Sequence, residues 1–466
     1  MTPSPPVKEI KLWTAFLCAA GAIASFSLAY AFTRCEFLMA VFFFCLFPLA
    51  RLRTGRRAYY FGLGIGFAIY TPHLLFFWKI FGGCAIALWY VLPFWLGMFL
   101  MLGRACLFRF GPAAWACLAP FLWTGLEFFR SELYYLRFSW LNAGFVFSDS
   151  RALHYLSACG VYGIGFLFMA AAGVFHLRGR ARWIGLALLT AAALYPAFMP
   201  ASGDSPQKIL RVAGVQLEGS DSAAVVSALG DAAAKFPDAD VFVLSEYAFH
   251  MPVPPLVRTW CRKHRKFLVA GGEDPAASPD FYNTAFVVDT QGDIVFRQAK
   301  SVPVQFMKDG LPARSQQLWE SPWGKIGLAI CYDDGYSRVM DELIRQGAQA
   351  LILPTMDSVD WGAAQHLLHG RVAPVRAAEY AVPVFRVCSS GVSQSIDATG
   401  RVLSAAPFAG EGAMLAGELA LPARGRIPPD RLLARLSVAV SAALIAWLAA
   451  GAIRQKIRNR IHPPTP

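Results

Sequence analysis

Eight long apolar stretches constrain the fold of this chain more than any other feature of its sequence. They cover residues of about 12–32, 35–50, 58–77, 84–107, 113–129, 153–177, 183–198 and 436–453. Because a helix needs about 20 apolar residues to cross a bilayer core, most of these stretches are long enough to span a membrane. Hydrophobic residues make up 56% of the 466 positions and charged residues only 16%. We therefore predict a polytopic α-helical membrane domain of about eight transmembrane helices, seven before a more polar segment and one after it.

The basic residues alternate between the predicted loops, as they do in multi-pass membrane proteins whose cytoplasmic loops are rich in Lys and Arg. Basic clusters precede the first stretch or follow the second, fourth, sixth and eighth: Lys8, Lys11, Arg51, Arg53, Arg56, Arg57, Arg104, Arg109, Arg178, Arg180, Arg182, Arg454, Lys456, Arg458 and Arg460. The other short loops contain fewer: Arg34, Lys79, Arg130, Arg137 and Arg151. This pattern predicts that both termini are cytoplasmic and that the middle segment lies outside. The predicted domains are 1–200, 201–430 and 431–466.

The formal net charge of +13 agrees with this topology, because many basic residues belong to the cytoplasmic clusters. A nucleic-acid-binding protein would concentrate them, with aromatic residues, on one folded face. No such patch stands out, so we expect no nucleic acid partner. Of the cysteines, Cys261, Cys331 and Cys388 fall in the outer segment, which predicts no disulfide framework and at least one free thiol.

From Lys208 onward the hydrophobic pattern changes to short β-rich runs separated by helix-like stretches. The runs are ILRVAGVQL, DVFVLSE, KFLVAGG, NTAFVVDT, KIGLAICY, QALILPT and PVFRVCSS. The helix-like stretches are SAAVVSALGDAAAKF, PPLVRTWCRKHRK, SRVMDELIRQG and AAQHLLHGRVAPVRAAEY. Their alternation predicts an α/β domain, in which VVDTQGDIVF and SIDATGRVLS form hairpins with glycine turns. Linkers are expected at 204–206 and 427–429.

Three residues with complementary chemistry follow predicted strands: Glu246, Lys300 and Cys331. A buried carboxylate can accept a thiol proton, and an ammonium stabilises both a thiolate and a developing oxyanion. Taken singly, each has a simpler interpretation, namely a loop acid, a solvated cation and a structural thiol. Together, at strand ends of one domain where functional groups gather, they predict a nucleophilic site around Cys331.

Two further pairs of residues have alternative interpretations. His366 and His369 are helical neighbours, but no third ligand accompanies them, so we expect no metal and no other cofactor. Glu127 and Arg130, near the end of the fifth apolar stretch, are either an interfacial ion pair or a functional pair within the membrane.

Several motifs resemble the nitrilase superfamily, and within it the apolipoprotein N-acyltransferases. They are LSEY, YNTAFVVDTQG, GKIGLAICYDD, RQGAQALILPT, DWGAAQHLLHGRVAPVRAAEYAVPVFR and SQSIDATGRV in the outer segment, and WTGLEFFR, FSWLNAGF and GVYGIGF in the membrane part. The resemblance implies an extracytoplasmic nitrilase-like domain with an αββα sandwich. It makes Glu246 the general base, Lys300 the oxyanion-stabilising cation and Cys331 the nucleophile. The residues expected to line the site are Tyr332, Asp333 and Asn283.

The activity that this resemblance implies is acyl transfer from a phospholipid to the N-terminal cysteine amine of a diacylated lipoprotein, through a thioester on Cys331. The implied setting is a bacterial inner membrane, with the bilayer, the phospholipid and the apolipoprotein as partners of a monomeric protein. Two alternatives remain. One is a membrane-anchored amidase, in which water resolves the thioester, and the other is a non-catalytic lipid-binding or scaffold protein.

The chain departs from the family pattern in two places. Asp333 stands where the family usually has glutamate after a Cys-Tyr pair. After Lys300, SVPVQFMKDG replaces a Leu-Val-Pro-Phe-Gly-Glu run, so counting without gaps sets Lys308 at the position of a second glutamate that helps to order the site. This departure predicts an altered rate, an altered substrate or compensation by Asp309.

Overall fold

The computed structural model describes residues 7–149, 151–198, 208–277, 279–410 and 412–461. The predicted linker at Asp204, Ser205 and Pro206 lies outside these residues, as does the predicted domain boundary after Pro200. The N-terminal part is helical, and an α/β domain follows it. The last helix packs back against the N-terminal helices.

Eight helices coincide with the eight apolar stretches. They are α1 (Leu12–Ala31), α2 (Leu38–Leu46), α3 (Gly55–Tyr70), α5 (Ala85–Phe110), α6 (Pro112–Phe128), α7 (Leu156–His176), α8 (Gly179–Phe198) and α14 (Asp430–Ile461), with the short α4 (Phe77–Phe81) before α5. Within the described ranges, four segments are long and apolar enough to cross a membrane: Leu12–Ala31, Phe77–Phe110, Leu156–His176 and Asp430–Arg454. The apolar helices therefore fit a membrane domain, while the count of eight spans stays a prediction.

Small residues allow these helices to approach one another closely. A β-carbon on Gly62 of α3 would lie 2.6 Å from the carbonyl oxygen of Leu96 in α5. One on Gly125 of α6 would overlap the side chain of Ser441 in α14. Close backbone packing is typical of helices in a bilayer, where water exclusion does not drive association.

Two six-stranded sheets form the centre of the α/β domain. Their strands are β1 (Lys208–Val215), β2 (Val241–Val243), β3 (Phe267–Pro275), β4 (Phe281–Val288), β5 (Ile294–Ala299), β6 (Leu318–Glu320), β7 (Lys325–Leu328), β8 (Ala350–Thr355), β9 (Val384–Cys388), β10 (Ser393–Ile396), β11 (Val402–Ala406) and β12 (Met414–Leu421). The first sheet has the order β12-β1-β2-β3-β4-β5 and the second β11-β10-β9-β8-β7-β6. The helices of this domain are α9 (Ser222–Lys235), α10 (Pro255–His264), α11 (Ser337–Arg345), α12 (Ala363–Gly370) and α13 (Val372–Tyr380).

Burial of both faces explains why the central strands are continuous apolar runs. The inner faces pack on each other through side chains such as Val212 and Val243 from one sheet and Ile352 and Phe385 from the other. Helices α9 and α10 cover the outer face of the first sheet, and α11 and α13 cover that of the second. These four layers make an αββα sandwich, so the predicted α/β domain is confirmed.

The stretch AAQHLLHGRVAPVRAAEY forms two helices rather than one. Helix α12 ends at Gly370, and α13 begins at Val372. Pro374 has no N–H to donate to the Gly370 carbonyl, so the hydrogen-bond ladder of a single helix cannot continue through this position.

A buried network of charged side chains joins α14 to the α/β domain. Arg431 Nε lies 3.0 Å from Asp341 Oδ1 of α11, and Arg431 Nη2 lies 2.9 Å from Glu379 Oε1 of α13. Glu379 also accepts a hydrogen bond of 3.0 Å from the backbone N–H of Val161 in α7. Because buried ions require such partners, the network fixes the orientation of the domain on the helices.

Glu127 and Arg130 lie inside the protein, with exposed fractions of 2% and 4%. Arg130 donates hydrogen bonds to Phe138 O (3.1 Å) and Asn142 Oδ1 (2.8 Å), and Glu127 accepts one from the Ala143 N–H (3.1 Å). Arg130 Nη2 lies 3.9 Å from Glu127 Oε1, so the two side chains form an ion pair. Whether the pair is interfacial or functional stays a prediction. The pair orders the loop 138–143, which contacts the α/β domain.

Candidate active site

Glu246 follows β2 in a loop that runs against β3. A β-carbon at Gly271 would come within 2.5 Å of the Glu246 Cα, so only glycine fits there. The next residue, Tyr247, has a φ of +52°. The close contact between the backbones of Gly271 and Glu246 therefore fixes the position of the Glu246 side chain.

Cys331 begins the tight turn Cys331–Gly335 shortly after β7 and has a φ of +50°. A non-glycine residue in this region costs about 1–3 kcal/mol, so the surroundings must hold it there. The Asp333 carboxylate does so by accepting hydrogen bonds from the backbone N–H groups of Ile330 (3.2 Å), Ser301 (3.1 Å) and Val302 (2.7 Å). It thereby ties the cysteine turn to the segment after Lys300. Burial raises the pKa of Asp333 to about 6.

The predicted residues Glu246, Lys300 and Asn283 meet in one buried cluster. Lys300 Nζ lies 2.8 Å from Glu246 Oε1, and Asn283 Nδ2 donates to the same oxygen at 2.6 Å. Glu246 Oε2 accepts the Met356 N–H at 2.8 Å, and Cys331 Sγ lies 3.6 Å from the Met356 carbonyl oxygen. The backbone of Met356 therefore contacts both the Glu246 carboxylate and the Cys331 thiol.

The electrostatics of this cluster favour a charged lysine and a protonated thiol in the resting protein. Burial raises the pKa of Cys331 well above its usual range, and the charge of Glu246 raises it further against the opposing effect of Lys300. Burial also opposes the charge on Lys300. The carboxylates of Glu246 and Asp309 outweigh that effect and hold the Lys300 pKa well above its usual value. Cys331 therefore needs a base to become a nucleophile.

Asp309, rather than Lys308, completes the cluster. Its Oδ2 lies 2.7 Å from Lys300 Nζ, and its Oδ1 accepts hydrogen bonds from Asn283 Nδ2 (2.9 Å) and Tyr247 OH (2.8 Å). Lys300 and neighbouring donors hold the pKa of Asp309 below its usual value despite its burial. Lys308 is exposed, with its Nζ 5.8 Å from the centre of the Phe281 ring. Of the outcomes left open by the sequence, the contacts support compensation by Asp309.

Cys331 lies at a cavity that continues between the α/β domain and the helical domain. The cavity has a volume of about 830 Å³, its open mouth included. Its helical wall is apolar and contains Phe76, Phe77, Ile80, Phe81, Leu88 and Leu92, while loop 304–307 and Tyr332 form the opposite side. Tyr332 thus lies where it was predicted, whereas Asp333 and Asn283 lie behind the cavity wall. The apolar lining favours an apolar ligand group close to the thiol.

Two family models match the chain in succession. The apolipoprotein N-acyltransferase N-terminal domain matches residues 20–174, and the carbon-nitrogen hydrolase domain matches residues 222–426. The chain belongs to the apolipoprotein N-acyltransferase family. The apolipoprotein N-acyltransferase of Rhizobium rhizogenes is 29% identical over 67% of this chain and 67% of its own length. That of Geobacter metallireducens is 24% identical over 65% of this chain and 68% of its own length.

Solved structures of the nitrilase superfamily are also similar to about half of this chain. Saccharomyces cerevisiae Nit3, of branch 10 of the superfamily, is 21% identical and matches 47% of this chain and 92% of its own, with a TM-score of 0.40.

A second buried cluster adjoins the cavity and was missed from sequence. Asp357 Oδ1 lies 2.8 Å from His369 Nδ1, and Asp357 Oδ2 lies 2.7 Å from Arg386 Nη2. The His369 ring, which lines the cavity, stacks on Trp140 at a centroid distance of 4.3 Å. Asp357 follows β8 in the way that Cys331 follows β7, and this strand-end position was the available signal. The cluster fixes one wall of the cavity.

The two histidines considered as metal ligands have other partners. His366 Nε2 lies 3.0 Å from the carbonyl oxygen of Ser358, and His369 is held by Asp357. In the described part of the chain, no group of three or more potential ligands is arranged to hold a metal ion.

Proposed function

We propose that this protein transfers an acyl chain from a phospholipid to the α-amine of the N-terminal cysteine of diacylglyceryl-modified lipoproteins. The observation that carries the proposal is the placement of Cys331, with Glu246 and Lys300 beside it, at a cavity whose far wall is built from apolar helices. The relatives named apolipoprotein N-acyltransferase support the same assignment.

In the first step, Cys331 Sγ attacks the ester carbonyl carbon of the phospholipid while Glu246 accepts the thiol proton. Lys300 stabilises the negative charge that develops on the carbonyl oxygen. When the tetrahedral intermediate collapses, the glycerol oxygen leaves and takes the proton from Glu246. The products are a lysophospholipid and a thioester on Cys331.

In the second step, the lipoprotein amine attacks the thioester carbonyl carbon. Glu246 accepts a proton from the amine, and Lys300 again faces the oxyanion. The thiolate of Cys331 leaves and regains the proton, and an amide remains on the lipoprotein. The exchange of a thioester for an amide is downhill and needs no further reactant.

The proposal includes a topology. Eight spans, seven in residues 1–200 and one in 431–466, would place both termini in the cytoplasm and the domain at 201–430 on the periplasmic side of a bacterial inner membrane. The clusters of basic residues in alternate loops support this orientation. The catalytic thiol would then face the leaflet that holds both lipid substrates.

Mass spectrometry of the detergent-solubilised protein tests the proposal. After incubation with a phospholipid, Cys331 should gain the mass of one acyl chain. Addition of a diacylated lipopeptide should remove that mass and yield an N-acylated peptide. Cys331→Ala should abolish both products, whereas Cys84→Ala, at an exposed cysteine, should preserve them.

The other outcomes distinguish the rival functions. Loss of the thioester to water at the same rate with or without lipopeptide would identify a hydrolase. If neither the wild-type protein nor the Cys331→Ala variant changed mass, the protein would have no acyl-transfer chemistry.

A further inference from the structure

The cavity beside Cys331 contains one permanent charge in its described lining, the guanidinium of Arg137. The other polar side chains of the lining are neutral or engaged. Gln305 donates a hydrogen bond of 3.0 Å to the Tyr135 carbonyl oxygen, and His369 pairs with Asp357. Arg137 belongs to the loop that joins α6 to α7, and its backbone carbonyl accepts a hydrogen bond of 2.9 Å from Tyr332 OH. The residue after the nucleophile therefore fixes Arg137 at the cavity.

Among the residues that the structure describes, none is an anionic partner of the Arg137 side chain. Its Nε is buried without a hydrogen-bond partner, and no carboxylate in the described ranges forms an ion pair with it. Its guanidinium instead lies 5.4 Å from the centre of the Tyr336 ring. Arg137 is half-buried. A guanidinium normally donates to a carboxylate or phosphate, so one with an unsatisfied buried Nε at an apolar cavity indicates an anion that arrives with the ligand.

We propose that Arg137 binds the phosphodiester of the acyl donor and makes a phosphate-bearing lipid the preferred donor over a neutral one. This inference rests on the proposed function. When an acyl chain occupies the apolar cavity and its ester carbonyl meets Cys331, the phosphate is only a few covalent bonds away along the glycerol. The planar guanidinium fork matches two phosphate oxygens. In the described lining no second permanent charge accompanies Arg137, so its contact should act on the phosphate that phospholipids share.

The role of Arg137 belongs to the first half-reaction. The lipoprotein acceptor brings an amine and no phosphate, so it gains nothing from the guanidinium. Loss of Arg137 should therefore slow the formation of the thioester and leave its transfer to the amine much less affected.

The test compares donors of the same acyl chains, two with a phosphodiester headgroup and one without. The rate of Cys331 acylation is followed by intact mass spectrometry with phosphatidylglycerol, phosphatidylethanolamine and a diacylglycerol of the same acyl chains. A charge-assisted hydrogen-bonded contact is typically worth about 10- to 100-fold in rate or affinity, so the wild-type protein should prefer both phospholipids by about that factor. Arg137→Gln should abolish this preference, Arg137→Lys should keep part of it, and Arg265→Gln, at an exposed arginine of the α/β domain, should preserve it.

If the Arg137→Gln variant kept the wild-type preference for phospholipids over diacylglycerol, the proposed role of Arg137 would be wrong. Inorganic phosphate distinguishes a lipid headgroup site from a site for free anions. Millimolar phosphate should not slow the wild-type reaction, because the proposed contact depends on the bound acyl chain. Inhibition that disappears in Arg137→Gln would assign the residue to free phosphate and reject the headgroup site.

A binding measurement separates this inference from the proposed function. Native mass spectrometry of the Cys331→Ala protein needs no turnover and should show more retained phosphatidylglycerol than diacylglycerol. The double variant with Arg137→Gln should retain both equally. If the wild-type protein forms no adduct but this binding difference holds, only the acyl-transfer function fails. If adducts form and the difference is absent, only the role of Arg137 fails.

Discussion

The second carboxylate that pairs with Lys300, besides Glu246, comes from a position that simple counting along the sequence does not indicate. The loop after Lys300 contains Phe306 with a φ of +66°, and this bend exposes Lys308 and turns Asp309 inward. Asp309 is one residue later than the glutamate expected from the family pattern and has a shorter side chain. It still reaches Lys300 Nζ, because the backbone N–H of Val304 holds its Oδ2 at 2.7 Å.

Replacement of Asp309 by alanine should lower kcat/KM for acyl transfer by about 100-fold, a typical loss for a group that organises an oxyanion-stabilising cation. Lys308→Ala changes the adjacent exposed residue and should alter the rate less than about twofold. Steady-state assays with a fluorescent lipopeptide measure both. Equal losses in the two variants, or a larger loss in Lys308→Ala, would contradict the assignment of Asp309 as the partner of Lys300.

Alkylation of Cys331 should report its raised pKa directly. Because the thiol is protonated below that pKa, the rate of reaction with iodoacetamide should rise about tenfold per pH unit from pH 6 to 9 and show no plateau. Lys300→Met removes the cation that favours the thiolate, so the reaction should become slower at every pH. Peptide mass spectrometry gives the rates, with exposed Cys84 as the internal reference. A plateau near neutral pH would show that the resting cysteine is already a thiolate.

Helix α14 is held to the α/β domain by buried charged side chains. Arg431 is surrounded by Asp430, Asp341, Glu379 and the hydroxyl of Tyr380. Removing one member of such a buried network leaves the remaining charges uncompensated, which costs more than the network contributes when complete.

Arg431→Ala should therefore lower the free energy of unfolding by about 3–5 kcal/mol. Arg435→Ala, one turn further along α14 at an exposed position, should change it by less than about 0.5 kcal/mol. Thermal unfolding in detergent, followed by intrinsic tryptophan fluorescence, compares the two variants. A similar melting temperature for both would show that the network does not stabilise the domain on the helices.

Strands and helices of the α/β domain were largely predictable, because each central strand is buried on both faces and therefore appears as an uninterrupted apolar run. The hairpins were predictable from their glycine turns, and Gly292 and Gly400 have φ of +80° and +86°. The division between α12 and α13 depends on one missing N–H at Pro374 within an otherwise helical pattern, so periodicity alone did not reveal it.

The orientation of the molecule in a membrane follows from the distribution of arginine and lysine and stays a prediction. Reporter fusions test it, because alkaline phosphatase is active only outside the cytoplasm. A fusion after Lys266, in the α/β domain, should be active, and one after Arg109, at the basic end of α5, should be inactive. Green fluorescent protein at the same positions should give the opposite pattern. An active phosphatase after Arg109 would refute the proposed topology.

Local patterns in the sequence were enough to predict the apolar helices, the α/β domain and the strand-end positions of Glu246, Lys300 and Cys331. They suffice because hydrophobic periodicity and turn chemistry depend on residues that are neighbours in the chain. The inward turn of Asp309, the cavity between the two parts of the protein and the unsatisfied Nε of Arg137 depend instead on contacts between distant segments. Only packing in three dimensions decides which of these polar groups find a partner and which remain free for a ligand.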